Sequence, residues 1–301
     1  MRILLLGANG QVGHALREAL PALGELACAT RGGRLSDGTS CERADFDQPD
    51  ALAPLIARVA PDIVVNAAAY TAVDRAEDDR EAAYRINAEA PGVLAAACAR
   101  RGALLVHYST DYVFDGRGTR PYREDDSAAP LGVYGASKLA GEQAVRAAGG
   151  RHMILRTAWV YGLHGHNFLR SILRLAGERD ELRVVDDQIG TPTSAGLVAR
   201  TTGTLLTQQL RRSGTWHLAA RGETSWHGLA VSIVEHAHAR GMLDRIPKVA
   251  PVASSEYPSR ASRPAYSCLD SGLLQREFLT PLPCWQDDLA RVFDTEHGRR
   301  G

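Results

Sequence analysis

The sequence predicts an α/β protein, a Rossmann-like doubly wound parallel sheet with a smaller C-terminal substrate-binding lobe. Three observations carry that prediction. Short apolar runs alternate with longer helical patterns through the first two-thirds of the chain, as βαβ units require. A glycine-rich turn, Gly7-Ala8-Asn9-Gly10-Gln11-Val12-Gly13, follows the first apolar run directly. After about Gly162 the rhythm loosens and prolines accumulate.

Taken in order, residues 2–6 form the first strand, 11–20 the helix after it, and 25–29 the second strand. A helix over 48–59 leads to 62–66, whose continuous β-branched interior marks a strand buried on both faces. A helical stretch over 79–101 precedes a strand at 103–109. Another, over 137–148, precedes 152–157. Residues 182–185 and 215–218 read as further strands returning to the sheet. From about Arg221, short helices and Pro247, Pro251, Pro258, Pro264, Pro281 and Pro283 indicate a second lobe. The expected division is 1–161, with 182–220 returning to it, as the NAD(P)-binding part, and 162–181 and 221–301 as the smaller lobe. Right-handed crossovers place the ligand site beyond the carboxyl ends of the strands.

The 301 residues suffice for one sizeable core or two lobes sharing a cleft. Lys+Arg and Asp+Glu balance at 35 each, so no net field favours nucleic acid or an anionic membrane. The apolar start is too short for a signal peptide, since Gly7, Asn9 and Gly10 interrupt it. Cys28, Cys41, Cys98, Cys268 and Cys284 are scattered, without a C-x-x-C pair, which predicts reduced thiols in a cytoplasmic protein.

The glycine turn carries the first chemical signal. One glycine lets the chain turn tightly, and another lets the backbone approach a pyrophosphate without a Cβ in the way. The helix N-terminus then offers free N–H groups and its positive dipole end. At the first βα junction of a parallel sheet, Gly7, Gly10, Gln11, Val12 and Gly13 are therefore candidate dinucleotide ligands. The second strand ends in Ala29-Thr30-Arg31. It has no acid for a ribose 2′-hydroxyl, and Arg31 suits a 2′-phosphate, so NADPH is at least tolerated.

The second signal is a pair of segments. The fourth strand ends in His107-Tyr108-Ser109-Thr110-Asp111, and a later helix opens with Tyr134-Gly135-Ala136-Ser137-Lys138. Four residues apart on a helix, Tyr134 and Lys138 share one face. A free phenol titrates near pH ~10, and a close ammonium favours its ionised form, easing proton exchange. The same ammonium can hold a cofactor ribose, while Thr110 bonds the substrate oxygen. His164 and His166 have no carboxylate or cysteine partner at metal-site spacing and read as loop residues, as His236 and His238 read as surface of a polar helix. No metal site is expected.

These residues resemble the extended short-chain dehydrogenase/reductase superfamily and, within it, the dTDP-4-dehydrorhamnose reductase family. Beyond the glycine turn, the resemblance rests on Val65–Asp74, Tyr108–Gly116, Val133–Glu142, Arg156–Tyr161, Asp187–Thr193 and Ser262-Arg263-Pro264. It implies reduction of the 4-keto group of dTDP-4-dehydro-β-L-rhamnose by NADPH or NADH, feeding surface polysaccharide. It implies Tyr134 as proton donor, Lys138 as its tuner and ribose ligand, and Thr110 as their partner. Asp45 and Phe46 would flank the adenine, with Ala69, Tyr70, Thr71 and Tyr108 along the cofactor. Thr110, Asp111 and Trp159 would meet the sugar, and Asn167 and Arg263 the diphosphate.

The sequence also departs from the family. Some members carry an acid where Thr30 stands. Some form a magnesium-bridged dimer through glutamates, where this chain has Ala15, Gly196 and Gln286. None of these is a hard-cation carboxylate ligand. A monomer, or a homodimer without a magnesium-bridged interface, is expected. Fold alone leaves a related 4-ketoreductase, a nucleotide-sugar epimerase, or a non-catalytic regulatory subunit resembling that of methionine adenosyltransferase as alternatives.

Overall fold

The structure, a computed structural model, describes residues 1–208, 212–257 and 259–300, with side chains to residue 295. Pro258 lies outside the described residues. Six of the apolar runs, with the short polar edge strand Glu42–Arg43 that the sequence does not predict, form one parallel sheet of seven strands among the described residues. Its spatial order is Gly214–His217, His152–Thr157, Leu104–Thr110, Ile63–Asn66, Arg2–Leu6, Glu25–Thr30 and Glu42–Arg43. The chain leaves Arg2–Leu6 towards one edge and returns to build the other half from Ile63–Asn66. That reversal opens a crevice at the carboxyl ends of these two strands.

Strand side chains alternate between two cores. Ile3, Leu5, Val65 and Val106 face the helices Gln11–Ala19 and Ala195–Thr207. Leu4, Leu6, Val64 and Leu105 face Leu52–Val59, Ala90–Arg101 and Val133–Ala147. Burial on both faces is why these strands are apolar throughout.

The first core continues without a break into the second lobe, through Ile172, Leu182, Val184, Leu229 and Ile233. This corrects one expectation. Leu182 and Val184 belong to the strand Glu181–Val185, which pairs in parallel with Lys248–Val252 rather than joining the main sheet. Two-residue strands supply the rest of the second lobe's ladder: Val160–Tyr161 with Thr193–Ser194, and Ile189–Gly190 with Thr224–Ser225. Gly214–His217 does join the main sheet.

Two helices also differ from their expected bounds. The stretch 79–101 is Arg80–Tyr84, a π-helical turn at Arg85–Glu89, and Ala90–Arg101. The later helix runs Val133–Ala147, four residues earlier than its apolar pattern begins. Its N-cap, Gly132, has no side chain to offer. Instead Glu77, from another element, accepts the Val133 N–H at 2.8 Å, and its charge suits the helix N-terminus.

Candidate active site

The glycine turn is fixed by close approaches. Gly7 has φ +77, and a Cβ there would stand 2.6 Å from the Ala68 nitrogen. A Cβ on Gly13 would stand 2.0 Å from the Gly7 carbonyl oxygen. Gly13 thus packs the helix onto the turn and does not itself line the crevice. Gly10 caps the helix Gln11–Ala19 without a side-chain bond, leaving its first N–H groups turned towards the crevice mouth. The Asn9 amide donates to the Arg34 carbonyl and accepts from the Ser36 N–H, both at 3.0 Å, which anchors the loop after the second strand.

The crevice is a half-open cleft of about 630 Å³. Gly7, Gly10, Gln11 and Val12 form one end, with Arg31 and Phe46 beside them and Ala69 and Thr71 along one side. Asp45 stays outside the lining, 3.7 Å from Arg31 and 3.8 Å from Arg43. Tyr70 is turned away: its N–H donates to Asn87 at 2.8 Å, and its hydroxyl to Asp79 at 3.2 Å.

Tyr108, Thr110, Asp111, Tyr134, Lys138 and Trp159 line the other end. Two glycines bring the catalytic-type helix this close. A Cβ on Gly135 would lie 2.1 Å from the Tyr112 carbonyl oxygen, and one on Gly141 2.0 Å from that of Asn87. Lys138 is buried and donates from Nζ to the Tyr108 carbonyl at 2.6 Å. Burial brings its ammonium down to about 8, although the Glu142 carboxylate one turn on holds it up. Burial pushes the Tyr134 phenol up to about 12, against the Thr110 hydroxyl, which pulls it down. Thr110 Oγ1 donates to Asp111 Oδ1 at 3.0 Å and accepts from the Tyr112 N–H at 3.2 Å. Asp111 is only 2% exposed, and burial lifts its carboxyl to about 6.

Behind Lys138, Arg156 grips Glu142 with two 2.8 Å bonds, and Arg146 adds a third at 2.7 Å. Burial alone would raise Glu142; these guanidiniums outweigh it and hold the carboxyl below its usual range. The Asn87 side chain, inside the π-helical turn, ties the Tyr70 backbone to the Ser137 hydroxyl. A π-turn re-aims one residue within a helix, which is why such turns recur at functional sites.

Two candidates lie elsewhere. Asn167 caps the helix Phe168–Glu178, accepting the Arg170 N–H at 3.1 Å and donating to the Gly162 and His164 carbonyls. Its amide is fully engaged outside the cleft. Arg263 bonds Asp74 at 2.8 Å and holds a strap against the first lobe, beside a small cavity that reaches Tyr134. His166, expected only as a loop residue, lies in the cleft wall, and sequence reasoning missed Trp226, which stacks on Trp159. No group of three or more His, Cys, Asp or Glu among the described residues is arranged to hold a metal. Among them, too, no helix is long and apolar enough to cross a membrane.

With this geometry in view, comparison with known proteins is decisive. Residues 1–297 match the family described as the RmlD substrate binding domain. The dTDP-4-dehydrorhamnose reductase of Burkholderia thailandensis is 46% identical, over 95% of this chain and 96% of that one. The chain belongs to the dTDP-4-dehydrorhamnose reductase family. The Escherichia coli K12 reductase is 42% identical, over 98% of this chain and 97% of that one. The crystal structure of the Bacillus anthracis reductase in complex with NADP superposes with a TM-score of 0.89 at 35% identity, covering 98% of this chain and 99% of that one. In this family member the cleft residues named above therefore sit on the fold of a nucleotide-sugar oxidoreductase.

Proposed function

We propose that the chain reduces the C4 keto group of dTDP-4-dehydro-β-L-rhamnose to give dTDP-L-rhamnose, using NADPH or NADH, in the cytoplasm. The observation that carries this is the meeting of Tyr134, Lys138 and Thr110 with an uncapped, glycine-bounded helix N-terminus in one cleft. The relatives named above carry the same activity in their names.

The residues present fit a nicotinamide dinucleotide. Gly10 leaves helix N–H groups free for a pyrophosphate, and Gly7 and Gly13 admit no Cβ. When bound, the dinucleotide supplies the hydride equivalent that adds to the carbonyl carbon. Tyr134 supplies the other half of the reduction. Its phenol, held well above neutrality, keeps its proton until the C4 oxygen gains charge, then donates it there. The Lys138 ammonium favours the phenolate left behind and is placed to hold the ribose. Thr110 bonds the same oxygen, and Asp111 and Trp159 face the sugar. Arg31 serves the adenosine end, flanked by Asp45 and Phe46. Arg263 reaches the diphosphate by leaving Asp74, whereas the capping bonds of Asn167 argue for a structural role.

We take residues 1–161, with 186–220 of the expected returning segment 182–220, as the dinucleotide-binding part, because Glu181–Val185 pairs within the second lobe, and the remainder as the substrate lobe. Ala15 and Gly196 carry no carboxylate themselves, although Glu18 and Asp288 line the same pocket; the proposal of a monomer, or of a homodimer without a magnesium-bridged interface, rests on those two positions and Gln286.

The test follows NADPH, and separately NADH, by absorbance with enzymatically prepared dTDP-4-dehydro-L-rhamnose. Wild-type protein should oxidise the cofactor and yield dTDP-L-rhamnose, while Tyr134→Phe should lose ~10²–10⁴-fold in kcat and still bind cofactor. Folded protein that binds dinucleotide without net oxidation would overturn the assignment in favour of an epimerase or a non-catalytic subunit.

A further inference from the structure

Trp159 occupies the gap between the strands His152–Thr157 and Val160–Tyr161 with φ +46, a left-handed conformation rare for a large side chain. Its indole lies face to face with Trp226, centroids 3.5 Å apart and planes within 2°. Phe168 backs Trp226 at 4.6 Å. Trp226 does not line the cleft; Trp159 does.

The support is built by the second lobe. Trp226 opens the helix Trp226–Ala239, whose cap Ser225 accepts the Gly228 N–H at 3.0 Å and donates to Asp186. Thr224–Ser225 pairs antiparallel with Ile189–Gly190. A Cβ on Gly190 would stand 2.3 Å from Cε2 of Trp159. One short ladder thus fixes the ring behind Trp159 and the bare backbone at its edge.

We propose that Trp226 is a positioning residue for the sugar. By stacking on Trp159 it holds that indole as a flat, rigid wall against the apolar face of a deoxyhexose ring carried on a nucleoside diphosphate. This rests on the reading that the cleft takes a dTDP-linked sugar. Trp159 lines the same end of the cleft as Tyr134 and Thr110, so the tilt of this wall sets which ring face meets the proton donor. Without a plane behind it, nothing stacks to oppose relaxation of the left-handed Trp159 backbone. A side chain at position 190 would push the ring from its edge.

The experiment uses full-length Trp226→Phe, Trp226→Leu and Trp226→Ala. Titration calorimetry would measure binding of dTDP-L-rhamnose, of dTDP alone, and of NADPH. The Leu and Ala variants should bind dTDP-L-rhamnose roughly tenfold more weakly, as expected for loss of an aromatic pair, and raise the KM for the keto sugar in proportion. Binding of dTDP and of NADPH should be unchanged, because neither reaches the sugar wall. Phe, which keeps a plane, should recover most of the loss. If Ala fails to fold, the Phe and Leu variants, both apolar and bulky, decide the question. Weakening of all three ligands together would show a merely structural role and overturn the proposal, as would undiminished sugar binding in Leu. Failure of the functional reading would appear separately, as wild-type protein that binds no dTDP-L-rhamnose.

Discussion

The two walls of the cleft are held in different ways. Thr110, Tyr134 and Lys138 stand on long regular elements, a fully buried seven-residue strand and a fifteen-residue helix. Glycine contacts and buried polar bonds lock them. The Trp159 wall, with Trp226 stacked behind it, rests on two-residue strands, a stacked pair and one left-handed backbone. Such a conformation costs ~1–3 kcal/mol, and persists only where the surroundings over-determine it. On the proposed roles, the difference separates proton chemistry, tied to the rigid sheet, from sugar recognition, tied to long-range packing that can vary while the chemistry stays fixed.

The largest test of the rigid side is Glu142→Gln. Glu142 is fully buried and Arg156 nearly so. Removing one charge leaves the other unpaired, a loss of ~3–5 kcal/mol. The sign with pH follows from the lowered native pKa of Glu142. Its stabilisation is complete above the unfolded value near 4.5 and disappears as pH falls through the lower native value. Urea unfolding at pH 7 should therefore show the full gap between wild type and variant, and acid should close it. A gap that persists unchanged into acid would show that Glu142 acts through packing alone.

The same wall makes a prediction about rate. Lys138 is charged below about 8 and loses its proton above it, so kcat/KM should fall as pH rises through that value. Tyr134, pushed to about 12, contributes nothing in that window. In Glu142→Gln the fall should begin at lower pH, because the carboxylate that holds the ammonium up is gone. A profile flat to pH 10, or one unmoved in the variant, would separate the two walls less sharply than their geometry suggests.

How much of this was legible in the sequence follows the same division. The central strands of the main sheet are continuous apolar runs because both faces are buried, and six strand bounds match within a residue or so; the edge strand Glu42–Arg43, short, polar and only partly buried, left no such pattern. The Tyr134–Lys138 pair is a local spacing, readable on one helix face. Its helix opens one residue before Tyr134, where the motif places it, but the cap was not readable, since Glu77, remote in sequence, accepts the Val133 N–H. Residues 182–185 were read as a strand correctly but given the wrong partner. The exposed Glu181 and Arg183 alternate with buried Leu182 and Val184, and that one-sided pattern was the available clue that the strand lay outside the doubly covered sheet. Nothing local links Trp159 to Trp226, because their contact exists only once the second lobe has folded.

On the second-lobe side, Asp74→Asn should act modestly. Asp74 accepts the Ala261 N–H at 3.1 Å and the Arg263 guanidinium at 2.8 Å, joining the strap to the first lobe. Both partners are partly exposed, so stability should fall by no more than about 1 kcal/mol. The KM for the nucleotide sugar should change several-fold more than that for NADPH, as the strap borders the Tyr134 end of the cleft. Equal changes in both would place the strap's influence on the whole cleft.

The smallest effect is expected at the adenosine end, where the rigid sheet meets solvent. Arg31 is 69% exposed, 3.7 Å from Asp45 and 3.6 Å from Asp47, and it lines the cleft. Ion pairs this open contribute only ~0–1 kcal/mol, so Arg31→Ala should leave the thermal midpoint nearly unchanged. Its guanidinium nonetheless stands at the end of a strand that offers Thr30 instead of an acid, which suits a 2′-phosphate better than a ribose hydroxyl. The KM for NADPH should rise several-fold in the variant while that for NADH stays fixed, and the gap between the two should shrink in high salt as screening grows. Equal shifts for both cofactors would mean that Arg31 serves the adenine or the loop, and that the rigid side of the cleft does not itself choose between them.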